Sequence, residues 1–309
     1  MNYESLIGND NVKEILKSTI RSQTILHSYL FVGKEGIGKS LFAKDFAQAI
    51  LCQNKGEKAC GTCKSCLTIQ QVDHPDFTIL APEESSIKIG SIRKIQEKII
   101  EKPILSQRKV YLIEDADKMT TEAQNCLLKT LEEPPEYMTI ILISANEVNL
   151  LPTIQSRCTK IVFEEIANEK LKEFIEEKYT FPQNEETILI GAQGSIGRAI
   201  QIADKIEIYA KIEELVQGLK RFGLIELLNE KGEVLYKEKE NIISILEYMS
   251  LYFYRLAKKN IQQAQQFVNC IMHIETTQKA ILANSNYDMQ IDYLLLKCWE
   301  EINEKNNRS

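Results

Sequence analysis

Three groups of residues in this sequence have types and spacings that suit chemistry. GKEGIGKS, Gly33 to Ser40, fits the phosphate-loop pattern G-x-x-x-x-G-K-[ST] at every fixed position. Gly33, Gly36 and Gly38 let the backbone turn so that its N–H groups, including those of Lys34, Glu35 and Ile37, can face phosphates. Lys39 supplies a charge for the β/γ-phosphates, and Ser40 offers a hydroxyl to magnesium. The expected cofactor is therefore ATP or ADP with Mg2+. A glycine-rich loop without a ligand is the plain alternative, and a loop that binds nucleotide without using it is another. The second group is Glu114-Asp115, which closes the apolar run VYLI. Acids at a strand end can hold magnesium and polarise water, but an ATPase would usually place Asp before Glu.

The third group is CQNKGEKACGTCKSC, which supplies Cys52, Cys60, Cys63 and Cys66. Two overlapping C-x-x-C steps and four thiolates suit tetrahedral zinc held in a structural role, with no ligand position left open. Metal affinity would then order an insert that follows the phosphate-loop helix. Redox chemistry and an iron–sulfur cluster are the alternatives. His74 is a competing ligand in principle, but four cysteines leave it a structural role. Cys126, Cys158, Cys270 and Cys298 are scattered and read as ordinary buried thiols.

The elements that must position these groups are legible as apolar runs and helical periodicities. Val12 to Thr24 reads as an amphipathic helix, SYLFV as a strand, and SLFAKDFAQAILC as the helix after the phosphate loop. DFTILAP, VYLIED and MTIILISAN read as strands, with Ile89 to Glu101 helical between the first two. Thr121 to Glu132 reads as a helix opened by a Thr121–Gln124 capping box and stopped by Pro134-Pro135. Strands alternating with helices imply a parallel sheet covered on both faces. Past about residue 165 strand signals fade and long amphipathic helices take over.

Length and composition set the outer bounds. A chain of 309 residues can bury a sizeable core and divide into two or three domains. Its net charge of -6 argues against a protein that coats DNA by itself, though a local basic patch is compatible with it. The start MNYESLIGND has no basic region followed by an apolar stretch, and no run is long enough to span a bilayer. A cytoplasmic protein with reduced thiols and no membrane partner is the expectation.

With these pieces in order, the chain resembles the clamp-loader family of AAA+ ATPases in bacterial DNA polymerase III, and within it the delta-prime type. The resembling residues are HSYLFVGKEGIGKS, the four-cysteine insert, HPDF (His74 to Phe77), LLKTLEEPP (Leu127 to Pro135) and SRC (Ser156 to Cys158). The resemblance implies a RecA-like α/β AAA+ domain with a parallel sheet over residues 1–164, including the zinc insert at 52–66. A small helical lid over 165–204 and an all-α collar over 205–309 would follow. It implies a ring with other loader subunits of the gamma/tau and delta types, which places a sliding clamp on primed DNA. Carried over, Arg157 becomes an arginine finger acting in a neighbour's ATP site, and Asn146 the sensor at a strand end. Arg198 lies near the lid arginine, one residue beyond the usual G-S-x-R spacing.

The Glu114-Asp115 order departs from the Asp-Glu of the family's motor subunits. It shortens the would-be base by one methylene, and a misplacement of about an ångström can lower a rate around a hundredfold. The expected function is a ring subunit that binds ATP with weak or no hydrolysis and donates Arg157. The alternatives are an active motor subunit of the gamma/tau type and a stand-alone P-loop phosphotransferase.

Overall fold

The computed structural model describes residues 6–54, 56–71, 74–83, 85–179 and 185–303. The first half of MNYESLIGND and residues 180–184 of the expected lid lie outside the described residues. By its internal contacts the chain forms two compact units. One comprises Met1–Leu171 with Gly194–Gly197, the other Lys172–Gln193 with Arg198–Ser309.

The first unit is built on five strands: β1 (Ser28–Val32), β2 (Phe77–Leu80), β3 (Lys109–Ile113), β4 (Met138–Ser144) and β5 (Thr159–Val162). Their order across the sheet is β2-β3-β4-β1-β5, and every pairing is parallel. This is the expected RecA-like α/β architecture. The sheet is covered on both faces, which explains why β1, β3 and β4 are apolar without alternation. Tyr29, Phe31, Val110, Leu112, Ile141 and Ile143 pack on one side against α1 (Asp10–Arg21) and α2 (Lys39–Leu51). Leu30, Val32, Tyr111, Ile113, Ile140 and Leu142 pack on the other. There they meet Ile92, Ile95 and Ile99 of α4 (Ile89–Ile99) and Leu127 and Leu131 of α5 (Thr121–Glu132). Between α2 and β2 the insert adds a short helix, α3 (Lys64–Gln70), which the sequence did not suggest.

One expected detail is corrected. The N-cap of α5 is Thr120, whose hydroxyl accepts from the Ala123 N–H at 3.3 Å, rather than Thr121. Gln124 makes no capping box. Its amide donates to the Met119 and Asn149 carbonyls and its oxygen accepts the Leu151 N–H. Gln124 is itself buried, and a buried amide needs those partners more than an exposed helix end needs a cap.

After β5 and the short α6 (Pro152–Gln155) that precedes it, the chain is helical: α7 (Asn168–Lys178), α8 (Glu185–Ala192), α9 (Ile196–Asp204) and α10 (Ile206–Gly218). Two short turns, α11 (Leu224–Glu226) and α12 (Glu233–Lys237), lead to three long helices, α13 (Ile242–Lys259), α14 (Ala264–Leu282) and α15 (Tyr287–Asn303). Within this second unit Tyr248 of α13 and Thr187 of α8 both donate to the Glu213 carboxylate of α10. Among the described residues no helix is long and apolar enough to cross a membrane.

Candidate functional site

The phosphate loop joins the carboxyl end of β1 to α2, so its backbone N–H groups meet the positive end of that helix. Gly36 and Gly38 hold φ at 75° and 97°, a region costly to residues with a Cβ. The Lys39 side chain folds back into the loop and donates to the Gly33 and Lys34 carbonyls, each at 2.6 Å. It is 6% exposed, and burial pushes its ammonium below its ordinary pKa while Asp115, Asp117 and Glu35 pull it back up. Lys34 pairs with Glu165. A cleft of about 370 Å3 opens over Gly36, Lys39, Ser40, Glu114 and Asp115.

At the end of β3 the two acids part company. Glu114 turns into the cleft, where its carboxylate accepts the Ser40 hydroxyl and an ion pair from Lys44 at 3.0 Å. Ser40 and Glu114 therefore stand together where a hydroxyl and a carboxylate can share a magnesium ion. Asp115 sits at φ 48° and pairs with Lys118 at 2.9 Å. Asn146 lies two residues past the end of β4, and its side-chain oxygen accepts the Val148 N–H at 3.1 Å. The structure thus gathers Gly33–Ser40, Glu114, Asp115 and the β4 end at the carboxyl edge of the sheet. That is where open parallel sheets bind ligands.

Two predicted residues lie elsewhere. Arg157 precedes β5, at the amino edge: the Ser28 hydroxyl, on the first residue of β1, donates to the Arg157 carbonyl at 2.7 Å. Five strand steps of about 3.3 Å separate that level from Gly33, so Arg157 stands on the order of 15 Å from its own phosphate loop. Its guanidinium pairs with Glu132 at 2.8 Å and donates to the Thr153 carbonyl at 2.9 Å. Arg198 belongs to the second unit, where it pairs with Glu247.

Sequence reasoning passed over Lys44, Lys118 and Glu132. Lys44 was detectable, since it is four residues after Ser40 on a helix and so shares its face.

The four cysteines converge as expected, with all their sulfurs within 4.8 Å of one another. Cys52 and Cys63 sulfurs are 4.0 Å apart, and Cys60 and Cys66 sulfurs 3.9 Å. A tetrahedral zinc with 2.3 Å bonds needs sulfurs about 3.8 Å apart, whereas a disulfide needs about 2.05 Å. The backbone N–H groups of Cys60, Cys63 and Cys66 point at the sulfurs of Cys52, Cys60 and Cys63. Such donors favour thiolates. The Thr62 N–H is foremost among those that draw the Cys60 thiol down to about 5, while burial pushes Cys66 up. The donor set therefore fits zinc held by Cys52, Cys60, Cys63 and Cys66.

His74 stays out of that set. Its Nδ1 accepts the Asp76 N–H at 3.0 Å, so Nε2 carries the proton and meets the Ser65 hydroxyl at 2.9 Å. Ser65 in turn donates to the Leu51 carbonyl. The Asp76 carboxylate accepts the N–H groups of Ile104, Leu105 and Ser106, each at 2.7 Å. His74 and Asp76 are thus a buried fastening between the insert and the sheet.

Comparison with known proteins bears on this arrangement. Residues 8–167 match the family model described as DNA polymerase III, delta subunit. The DNA polymerase III subunit delta′ of Bacillus subtilis (strain 168) is 28% identical over 316 residues, 94% of this chain and 95% of the relative. The chain belongs to the delta-prime family of DNA polymerase III subunits. A second delta-prime relative, from Pseudomonas aeruginosa (strain PAO1), is 41% identical over 137 residues, covering 43% of this chain and 42% of its own length. A solved gamma subunit-related protein of DNA polymerase III from Thermotoga maritima shares the fold, with a TM-score of 0.57 at 19% identity. That match covers 94% of this chain and 99% of the other. As a delta-prime family member, the chain is a DNA polymerase III subunit of the clamp-loader type.

Proposed function

We propose that this protein is a ring subunit of a clamp loader, which binds ATP without effective hydrolysis and lends Arg157 to a neighbouring subunit's ATP site. The observation that carries the reading is the separation of Arg157 from its own phosphate loop, by the full length of β1. A guanidinium at the amino edge of the sheet has no role at a site on the carboxyl edge of the same sheet. Facing a partner, it can neutralise charge that grows on a transferring phosphoryl group.

The bound nucleotide would rest on the N–H groups of Gly33–Ser40, with Lys39 leaving the loop carbonyls to meet the phosphates. Ser40 and Glu114 would hold a magnesium ion, which would supply positive charge against the phosphates. Asn146 would border the same cleft. Hydrolysis needs a base that can take a proton from water. Asp115 is short for that task and is held by Lys118, which supports a subunit that binds rather than turns over. The partners would be the gamma/tau and delta types of loader subunit, and through the assembled ring a sliding clamp and primed DNA. Zinc at the four cysteines would serve only to fold the insert. The lid and collar divisions at 165–204 and 205–309 belong to the same proposal, as does a cytoplasmic location.

The experiment is direct. The purified chain should bind ATP and turn it over far below the ordinary enzymatic rate of about ten per second. Mixed with gamma/tau and delta partners, it should enter a stable complex that loads clamps. Turnover at an ordinary rate by the isolated chain would replace this reading with that of an active motor subunit. Failure to enter the complex would remove the ring assignment.

A further inference from the structure

Gly197 approaches the phosphate loop more closely than any side chain would allow. Its N–H donates to the Gly36 carbonyl at 2.9 Å. A Cβ on residue 197 would stand 2.9 Å from Gly36 Cα and 3.1 Å from its oxygen. Both residues belong to the first compact unit. Gly197 is the second residue of α9, so its N–H is among the four that a helix leaves without an internal partner. That spare donor is directed at the loop. In the family's G-S-x-R spacing, position 197 is where the arginine would stand, and the residue here is glycine.

The contact is one side of a closed bracket. Gly194, at φ 75°, accepts the Ile166 N–H at 2.9 Å, which fastens the segment to the chain just beyond β5. The adjacent Glu165 pairs with Lys34 of the phosphate loop. The loop is therefore held at Lys34 by a side chain and at Gly36 by a backbone donor, both traced to the same stretch.

A peptide unit is planar and trans, so the Gly36 carbonyl and the Ile37 N–H point in opposite directions. Anchoring the carbonyl outward aims the N–H inward, toward the space a phosphate would fill. We propose that Gly194–Gly197 is a backbone buttress that presets the phosphate loop for a polyphosphate ligand, with Gly197 as its positioning residue. The polyphosphate part rests on reading Gly33–Ser40 as a nucleotide site. The buttress itself does not.

Two variants test it. Gly197→Ala keeps the donor but forces the backbones apart, and Gly197→Pro removes the donor at a helix position where proline is tolerated. Backbone N–H order parameters report the loop without any ligand. In the free wild-type protein Ile37 and Gly38 should lie near the rigid value of about 0.85, and in the variants they should fall below about 0.6. Affinity for ATP should drop roughly tenfold in step, with zinc content and helicity unchanged. Loop amides that are mobile in the wild type overturn the proposal even if neither variant folds. So do variants whose loop stays rigid, or variants that bind ATP more tightly, since the segment would then be a closure rather than a support. A loop that loosens as expected in a protein that binds no ATP leaves the buttress standing and removes the nucleotide reading.

Discussion

Ser40 and Glu114 meet across the phosphate-loop cleft, the hydroxyl donating to the carboxylate, and Lys44 pairs with the same carboxylate oxygen at 3.0 Å. An ammonium thus balances the acid that a magnesium ion would use. Lys44 lies one helical turn beyond Ser40, so α2 sets the two side by side and the end of β3 brings Glu114 to both. It has a consequence for cation dependence. Wild-type affinity for ATP should change little between magnesium and EDTA, because Lys44 supplies part of the positive charge. Lys44→Met should increase the magnesium dependence by about three- to tenfold, the scale of a partly exposed charge pair. Equilibrium titration with a fluorescent ATP analogue reads both, and equal magnesium dependence in the two proteins would discard the idea.

The acid order makes a separate prediction. Glu114→Asp with Asp115→Glu restores the spacing of a motor subunit, yet residue 115 keeps its left-handed backbone and Lys118 beside it. The double variant alone should remain nearly inactive in steady-state phosphate release. Adding Lys118→Ala should raise turnover if that ion pair is what detains the base.

Zinc removal should have a local result. Four sulfurs already spaced for a tetrahedral ion make the metal the central tie of Cys52–Cys66, beside the Ser65–His74 fastening, the Arg21–Glu57 ion pair and the Gln53–Leu105 hydrogen bond. Cys60→Ser with Cys63→Ser should yield protein without the one zinc per chain expected of the wild type, by elemental analysis. Amide exchange should accelerate across the insert and stay slow in β1, β3 and β4, which pack through Phe31, Leu112 and Ile141. Exchange that accelerates equally in those strands would show that the metal supports the whole unit.

The parts that could be read in advance share a physical cause. β1, β3 and β4 are central strands, buried on both faces, so each carries a continuous apolar stretch (YLFV, VYLI and IILI) rich in β-branched and aromatic residues. β5 escaped because TKIV is half polar and only Ile161 is buried, whereas β2, the other edge strand, still showed as the apolar run FTIL. The phosphate loop and the cysteines carry local spacing constraints, so they could be found without tertiary information. Glu132 and Lys118 act through partners brought near by folding or by a tight turn, and their residue types alone distinguish them from any surface charge. Gly197 looked like an interruption of a motif, and its role became visible only as a distance to Gly36.

Asp45 offers a pH test of the α2 environment. It is 4% exposed, neither carboxylate oxygen has a hydrogen-bond partner among the described residues, and burial pushes its carboxyl up from 3.8 to about 6. A raised acid stabilises the fold below its unfolded pKa, and that contribution is lost as pH rises through the folded value. Stability from Asp45 should therefore be fully present below pH 4 and decline until slightly above pH 6, by about 2–3 kcal/mol. Other carboxylates move the other way, Asp10 for example being held at about 2 by Lys13 and Lys170. The difference between wild type and Asp45→Asn isolates the effect. By urea unfolding, the variant should gain on the wild type by that amount between pH 4 and pH 7. A gap that stays constant would mean that Asp45 is solvated.

The ion pair between Arg157 and Glu132 bears most directly on the proposed ring chemistry. Both side chains are a third or more exposed, so the pair should contribute less than about 1 kcal/mol to stability. Glu132→Gln and Arg157→Ala should each leave folding and zinc content unchanged. Their effects on an assembled ring should differ. An arginine finger typically contributes three to five powers of ten to its site, about 4–7 kcal/mol of barrier. Only the site that faces this subunit would lose that help in Arg157→Ala, so total DNA-stimulated turnover should fall partially and clamp loading further. Arg157→Lys should rescue little, since an ammonium lacks the planar fork. Glu132 plays a different part, because it and the Thr153 carbonyl hold the guanidinium while no partner is present. Engagement must exchange that carboxylate for a phosphate. Glu132→Gln removes the competing charge but keeps the hydrogen-bonding shape, so turnover at saturating ATP should hold while the ATP concentration needed for half-maximal rate falls. If instead Glu132 aims the finger in the working ring, Glu132→Gln should lower maximal turnover as Arg157→Ala does. Wild-type rates in the Arg157→Ala ring would reduce the pair to a surface contact.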